Sequence, residues 1–529
     1  MADPIKTWYH AGVMKICLIE PPKFVSLTNL VSTIAMPPIG IAYIAAACRK
    51  AGHEVHLVDA HGEGLSHYFP FKNMRLRGLS FSDIIARIPK DSEIIGFGLM
   101  FSAAWPVVRD LIQDVRTQFP KAKLILGGEH GTGAPNLSLE QSPLDYVVMG
   151  EGEEVIVNLL DAISKNENIE NLPGIAFRNA KNEIVINKRH NRIANIDEIP
   201  WPAWDLVDLE TYIRVNQPHG ASQGRFIPML ATRGCPFQCT FCTSPEMWTT
   251  DWIARDPKLL VDEMKTYYDK MGVRDFQFED LTFIVKRDWI IAFCKEVIER
   301  GLTGVSFQLP SGTRSEVVDD EVASWLKKAG CHEFAFAPES GDPRILKLIK
   351  KRVKLDKMYD AARSAMKAQI NVGCFFILGF PEDDWMSVLR TYKAVIKCAW
   401  IGFTNVNLNA YSPQPNTESF NALVKDGVIT DQSDEYLMSL FTFQDFGMIK
   451  TSYNKQFSGF QVSLFVLLGV MLFYTCYFGF RPKRVLQLFI DIFSPKATNK
   501  STKMVKSFLG DLGRILGQRF LPERPKAIQ

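Results

Sequence analysis

Over the first 160 residues, short apolar runs alternate with longer stretches whose apolar residues recur every three or four positions. The runs Met14–Glu20, Glu54–Asp59, Ile94–Leu99, Lys123–Leu126 and Tyr146–Met149 predict strands, and Ile39–Ala51 and Trp105–Gln118 predict helices between them. Short apolar strands separated by helices predict a doubly wound parallel sheet, because such strands must be covered on both faces. A second alternation begins near Phe226. Its predicted strands are Pro228–Thr232, Asp275–Glu279, Gly304–Gln308, Glu333–Ala337, Val372–Leu378 and Thr404–Leu408. Helices fit at Pro257–Met271, Arg287–Arg300, Asp319–Ala329 and Leu355–Ala368. Six β/α repeats predict a parallel barrel, partial or full.

The pattern divides the chain into four parts: a doubly wound, Rossmann-like domain over 1–165, a connector over 166–225, the barrel over 226–420 and a helical tail over 421–529. In the connector, Gly174–Arg178 and Ile184–Asn187 predict a hairpin across Asn179–Asn182. The following Ile199-Pro-Trp-Pro-Ala-Trp-Asp205 reads as a docked linker. The tail holds 25 uncharged residues, 456–480, closed by Arg481-Pro482-Lys483-Arg484. That length suffices to span a bilayer, yet the run contains Gly459, Gln461 and Ser463. Over 503–520, Met504, Val505, Phe508, Leu509, Leu512, Ile515, Leu516 and Phe520 recur at helical spacing among basic residues. Such an amphipathic basic helix suits a membrane interface. The alternative is a tail packed on the barrel with its apolar run in the core.

Composition adds little until it is localised. With 47% hydrophobic and 22% charged residues the chain is globular, and a net charge of +3 implies no nucleic-acid partner. The basic excess is confined to 481–529, where eleven Lys/Arg face three Asp/Glu, and this local +8 leaves −5 on the body. A basic tail on a mildly acidic body suits an anionic surface. The opening Met-Ala-Asp-Pro-Ile-Lys-Thr-Trp lacks the apolar core of a signal peptide. Of ten cysteines, seven are scattered, mostly in apolar runs, and read as buried thiols rather than a disulfide framework. The expected location is therefore the reducing cytoplasm, with the tail holding the protein peripherally at a membrane.

The other three cysteines lie in Ala231-Thr-Arg-Gly-Cys235-Pro-Phe-Gln-Cys239-Thr-Phe-Cys242, directly after the first predicted barrel strand. Three thiolates so spaced can each take one iron of a [4Fe–4S] cluster and leave the fourth iron open, and an open position marks a catalytic metal. A structural zinc would need a fourth ligand, and no partner Cys/His pair lies nearby.

On these residues the sequence resembles the radical S-adenosylmethionine (SAM) superfamily, and residues 1–420 resemble its cobalamin-binding branch. The resemblance implies that the open iron chelates SAM. One electron then cleaves it to methionine and a 5′-deoxyadenosyl radical, which takes hydrogen from an unactivated carbon. It also implies SAM contacts from Phe241, from Glu279 and Asp280 in Phe278-Glu-Asp280, and from Glu339 and Ser340 in Pro338-Glu-Ser-Gly341. Gly379 in Phe376-Ile-Leu-Gly-Phe-Pro381 and Arg314 complete that set. A barrel presents its ligands at successive strand ends, which is the order of these motifs. Cobalamin contacts are implied for Ser102, for Gly127, Gly128, Glu129 and His130, and for Gly150, Glu151, Gly152 and Glu153. Asp59-Ala-His61-Gly-Glu-Gly64 matches a pattern that supplies a cobalt ligand in another cobalamin family. There it follows the first strand and here it follows the second, so His61 reads as a coincidence and the corrinoid is expected to lack a protein histidine on cobalt.

The leading expectation is an enzyme that methylates an unactivated carbon of a small hydrophobic substrate (lipid, isoprenoid or tetrapyrrole), fed by a one-electron donor such as flavodoxin or ferredoxin. Oxidative ring closure or another radical rearrangement is the alternative. Methylthiolation would need a second cysteine triplet in the first domain, where only Cys17 and Cys48 occur. A non-catalytic corrinoid or iron–sulfur carrier would need none of the SAM motifs.

Overall fold

The computed structural model describes residues 12–25, 34–189, 192–441 and 449–493, together with Thr502 and Val505. The predicted basic helix 503–520 therefore lies outside the described residues, Val505 apart.

All five strands expected in the first domain form, as Lys15–Glu20, Glu54–Asp59, Ile94–Gly98, Lys123–Gly127 and Tyr146–Val148. They pair in parallel, and the strand order reverses between Lys15–Glu20 and Ile94–Gly98. Ligands of doubly wound sheets bind beyond the carboxyl ends of the strands at such a switch point. The connector hairpin forms as Ile175–Arg178 and Ile184–Ile186, but it is not part of a separate connector. It adds antiparallel to Tyr146–Val148 and extends this sheet to seven strands. The reason is burial: Ile175, Ala176 and Phe177 are fully covered only against the sheet's apolar edge. A three-stranded antiparallel sheet, Lys23–Val25, Tyr68–Phe71 and Met74–Arg77, was not legible in the sequence. The Pro/Trp-rich linker is docked as expected, with Trp204 buried and the Ala203 N–H bonded to the Ala42 carbonyl.

The second sheet has six parallel strands in sequence order: Phe226–Met229, Asp275–Phe278, Ser306–Thr313, Cys331–Glu339, Asn371–Leu378 and Asn405–Ala410. The first and last strands are edges, so the barrel is partial. Two strands run further than their patterns predict, through Pro310 and through Pro338. Register shifts after Leu309 and after Phe336 let the chain pass a residue that cannot donate to the ladder.

In the tail, Ser458 and Gln461 form a capping box that starts the helix Gly459–Gly479. Val462, Phe465, Val466, Gly469, Phe473 and Tyr477 form one buried stripe at helical spacing. The helix packs along Trp385–Ile401 and the edge strand Asn405–Ala410. A Cβ on Gly469 would lie 2.4 Å from a Leu408 methyl carbon, so only glycine permits this approach. The helix is long and apolar enough to cross a membrane. Its buried stripe is nevertheless spent on the barrel, so it lies against the protein along its length rather than standing apart. Arg481 and Arg484 are not free flanking charges either. Arg481 donates to the carbonyls of Ala399, Trp400 and Ile401, and Arg484 to that of Gly402, closing the C-terminus of Trp385–Ile401.

Candidate active site

The cysteine loop is held from beneath. Asp280, at the end of the second barrel strand, accepts from the backbone N–H groups of Ala231 and Thr232 and from the Thr232 hydroxyl at 2.6 Å. Burial pushes its carboxyl up to about 7, against these donors. Asp280 therefore braces the start of the loop. Gly234 turns the chain at φ +84°, where a Cβ would lie 2.1 Å from the Asp251 carbonyl oxygen. Further on, the Thr240 N–H bonds to the Ile349 carbonyl and the Cys242 N–H to that of Cys239. Cys235, Cys239 and Cys242 are free and partly exposed, and burial pushes all three thiols up. Among the described residues no three ligating groups converge on a single-ion site.

Around the loop stand the other expected residues. Phe241 packs edge-on against Phe380 at 5.6 Å, and Phe380 against Tyr411 at 5.1 Å. Gly379, at φ +86°, opens a turn in which Asp383 accepts from its N–H at 2.9 Å and from that of Phe380 at 3.0 Å. Asn454 of the tail donates to the carbonyls of Phe380, Pro381 and Asp383, so the tail clamps this turn. One carboxylate oxygen of Glu279 lies 3.0 Å from His219 Nδ1 and accepts from Ser311 at 3.3 Å. The other is buried without a partner, as a receptor for an ammonium group would be. His219 was missed: it lies in the connector, outside any periodic element. Glu339 adopts φ +67° and receives the Lys351 ammonium at 2.9 Å. Arg314 stacks on Phe237 of the cysteine loop with its guanidinium carbon 3.9 Å from the ring centre. It also donates to Glu316 and to the Arg352 carbonyl. Ser340 turns inward, accepting from the Asp342 N–H beside Thr391, and so supports the turn.

The first domain meets the loop directly. Glu129, at the end of its fourth strand, accepts from the hydroxyl of Thr243, the residue after Cys242. Burial pushes its carboxyl up to about 7. His130 lies 2.9 Å from the Ser102 hydroxyl and stacks on Trp105, which joins two expected residues, and burial holds its imidazole down at about 3. Gly128, at φ +102°, brings the chain against Leu99, where a Cβ would lie 2.4 Å from the carbonyl oxygen. Gly127 has open space where its Cβ would be, and Gly150 takes φ +76° with its N–H on the Thr132 hydroxyl. Gly152 lets Ile44 pack against the backbone. Glu151 accepts from Arg192 at 2.7 Å and Arg233 at 3.2 Å, and Glu153 from Arg233 at 2.5 Å, all of them buried. These pairs tie the first domain to the connector and the barrel, because four buried charges can persist only paired. His61 faces the Arg77 carbonyl at 3.2 Å and Tyr212, one strand outside the switch point. A cavity of about 540 Å³ opens between the domains, bordered by Thr132, Met149, Arg189, Glu246, Asn416 and Phe420.

Two family models match the chain: the B12 binding domain over residues 27–160 and the radical SAM superfamily over residues 229–395. An uncharacterised methyltransferase of Pyrococcus horikoshii is 28% identical over 79% of this chain and 84% of its own length. The anaerobic magnesium-protoporphyrin IX monomethyl ester cyclase of Cereibacter sphaeroides is 30% identical over 75% of this chain and 62% of its own length. The solved structure of the methyltransferase TsrM from Kitasatospora setae, with cobalamin and a [4Fe–4S] cluster bound, superposes with a TM-score of 0.64 over 88% of this chain and 91% of that one. At 15% identity this likeness establishes the fold. The chain belongs to the cobalamin-binding radical SAM enzymes. Its residues fit the cofactors of that class: three free, partly exposed thiols on one loop for the cluster, an unpartnered carboxylate oxygen on Glu279 for an ammonium, and open backbone at Gly127 for a flat ligand at the sheet's edge.

Proposed function

We propose that this enzyme methylates an unactivated carbon of a hydrophobic substrate at a membrane surface. The observation that carries the reading is the contact of Glu129 with Thr243, which sets the ligand edge of the first domain against the cysteine loop of the second. When bound, cluster and SAM supply a carbon-centred radical and the corrinoid a methyl group. The chain's own part is to hold the two sources within reach of one substrate carbon. Glu279, backed by His219, offers its free oxygen to the amino group of SAM, and Phe241 with Phe380 walls the adenine side. The methyltransferase relative in Pyrococcus supports transfer of a methyl group over cyclisation, and its match extends over more of both chains than the cyclase's.

The substrate class rests on the outside of the molecule. Trp385, Met386, Leu389 and Trp400 on one helix and Phe460, Leu464, Leu467, Leu468 and Met471 on its neighbour are all exposed. Leu486, Phe489 and Ile490 add a third apolar face on Lys483–Phe493. Exposed apolar area on this scale, followed by a stretch rich in Lys and Arg, matches a bilayer with anionic headgroups. The test is incubation of the reconstituted protein with deuteromethyl-SAM, a low-potential reductant and a lipid extract. Label in an extracted lipid is expected. 5′-Deoxyadenosine formed with no label in any product would reject methyl transfer.

A further inference from the structure

Lys351 lies in the turn after the helix Pro343–Leu348, within a run, Lys350-Lys351-Arg352, that reads as a solvated basic turn. It is not solvated. Its side chain is only 10% exposed and its ammonium lies 2.9 Å from Glu339. The same turn is stitched to the cysteine loop: the Thr240 N–H bonds to the Ile349 carbonyl, and Arg314 joins the Arg352 carbonyl to the face of Phe237. Two cations are thus held against one side of the loop. Glu339 reaches its place through a left-handed backbone, φ +67°, a strained conformation for a non-glycine residue that persists where surroundings over-determine it.

Three thiolates outweigh the charge of an oxidised [4Fe–4S] core, and reduction adds one further negative charge in a partly buried place. Cluster potentials follow net charge, hydrogen bonding and exposure. We infer that Lys351, with Glu339 setting its position and strength, is the counter-charge that makes this cluster reducible. Lys351 acts as a positioning residue: the electron comes from the external donor, and the ammonium only favours the reduced state. The inference rests on the cluster assignment, and the experiment separates the two failures.

The full-length protein is reconstituted with iron and sulfide, and its cluster is titrated with dithionite and mediators, followed by electron paramagnetic resonance. Iron content is measured on each sample. Lys351→Gln is expected to lower the reduced-to-oxidised ratio at fixed potential about tenfold, which is about 59 mV for a one-electron couple. Lys351→Arg is expected to stay near wild type. Glu339→Gln, which releases the ammonium from its partner, is expected to shift the ratio the opposite way. A purely structural ion pair would respond alike to both losses, so shifts of one sign, or none at full iron content, overturn the inference. Where Lys351→Gln fails to hold iron, Glu339→Gln decides: a raised ratio supports the inference and an unchanged or lowered one overturns it. A wild-type protein that binds no cluster would instead remove the assignment on which the inference rests.

Discussion

The hydroxyl of Thr243, one residue beyond the last cysteine of the loop, donates to the buried carboxylate of Glu129 in the first domain. The two halves of the site therefore share a wall. Thr243→Val would strand a buried acceptor and is expected to cost about 1–3 kcal/mol, while Glu129→Gln, whose amide oxygen still accepts, is expected to cost less. Urea unfolding of each variant measures the difference.

A stronger tie between the halves is the buried set Arg192, Glu151, Arg233 and Glu153. Removing Arg233 leaves two carboxylates without their shared partner. Arg233→Leu is expected to destabilise by about 3–5 kcal/mol, read as a fall in the denaturant midpoint. It is also expected to loosen the loop that begins at the next residue, read as faster loss of iron from the reconstituted protein.

Adjacent glycines separate folding from binding. Gly128→Ala forces a Cβ into the Leu99 carbonyl at a left-handed φ, and a thermal midpoint several degrees lower is expected. Gly127→Ala meets nothing within 4 Å, so its midpoint is expected to stay while retention of hydroxocobalamin on gel filtration falls. An unchanged corrinoid content in Gly127→Ala would move the ligand edge away from this strand.

Stability is expected to fall as pH rises from about 4 to about 7. Burial pushes Asp59 up to about 6 against hydrogen bonds from the Gly62 N–H and Tyr212. Its raised pKa contributes stability that is fully present below the ordinary aspartate value of about 3.9 and is lost as pH climbs through about 6. Glu20, pushed up to about 7 on the adjacent strand, acts in the same direction. Asp59→Asn keeps an acceptor for Tyr212 and removes the charge, so its thermal midpoint should decline less between about pH 4 and pH 6.

Membrane contact is testable without disturbing the core. Leu467→Asp with Met471→Asp changes two exposed positions on the helix Gly459–Gly479 and is expected to leave the melting curve unchanged. Flotation with vesicles containing anionic lipid is expected to fall at least several-fold. Equal flotation of variant and wild type would count against a bilayer at this face.

Both sheets were legible because their strands are apolar runs bounded by polar turns, as in Ile94–Gly98 and Asn371–Leu378. The small sheet Lys23–Val25, Tyr68–Phe71 and Met74–Arg77 was not, since strands of three or four residues carry too little alternation to register. The cysteine loop stood out by spacing. The carboxylates around it could be found but not sorted. Whether Asp280, Glu151 and Glu153 face a ligand or a neighbour depends on which donors the fold delivers: a backbone turn to the first, and arginines to the other two. His219 and Lys351 left no signal, because one sits in a connector and the other in a basic run that looks solvated.

The stripe that Gly459–Gly479 lays on the edge strand has a practical consequence. A shortened protein ending before Ser458 would bare Leu408, Tyr392 and the back of the Gly379 turn, which this helix otherwise covers. An uncovered edge strand beside fresh apolar surface invites self-association, so such a fragment would sediment whether or not the parent touches lipid. Deleting the tail would therefore report on a damaged barrel, and surface substitutions are the informative way to ask where this enzyme resides.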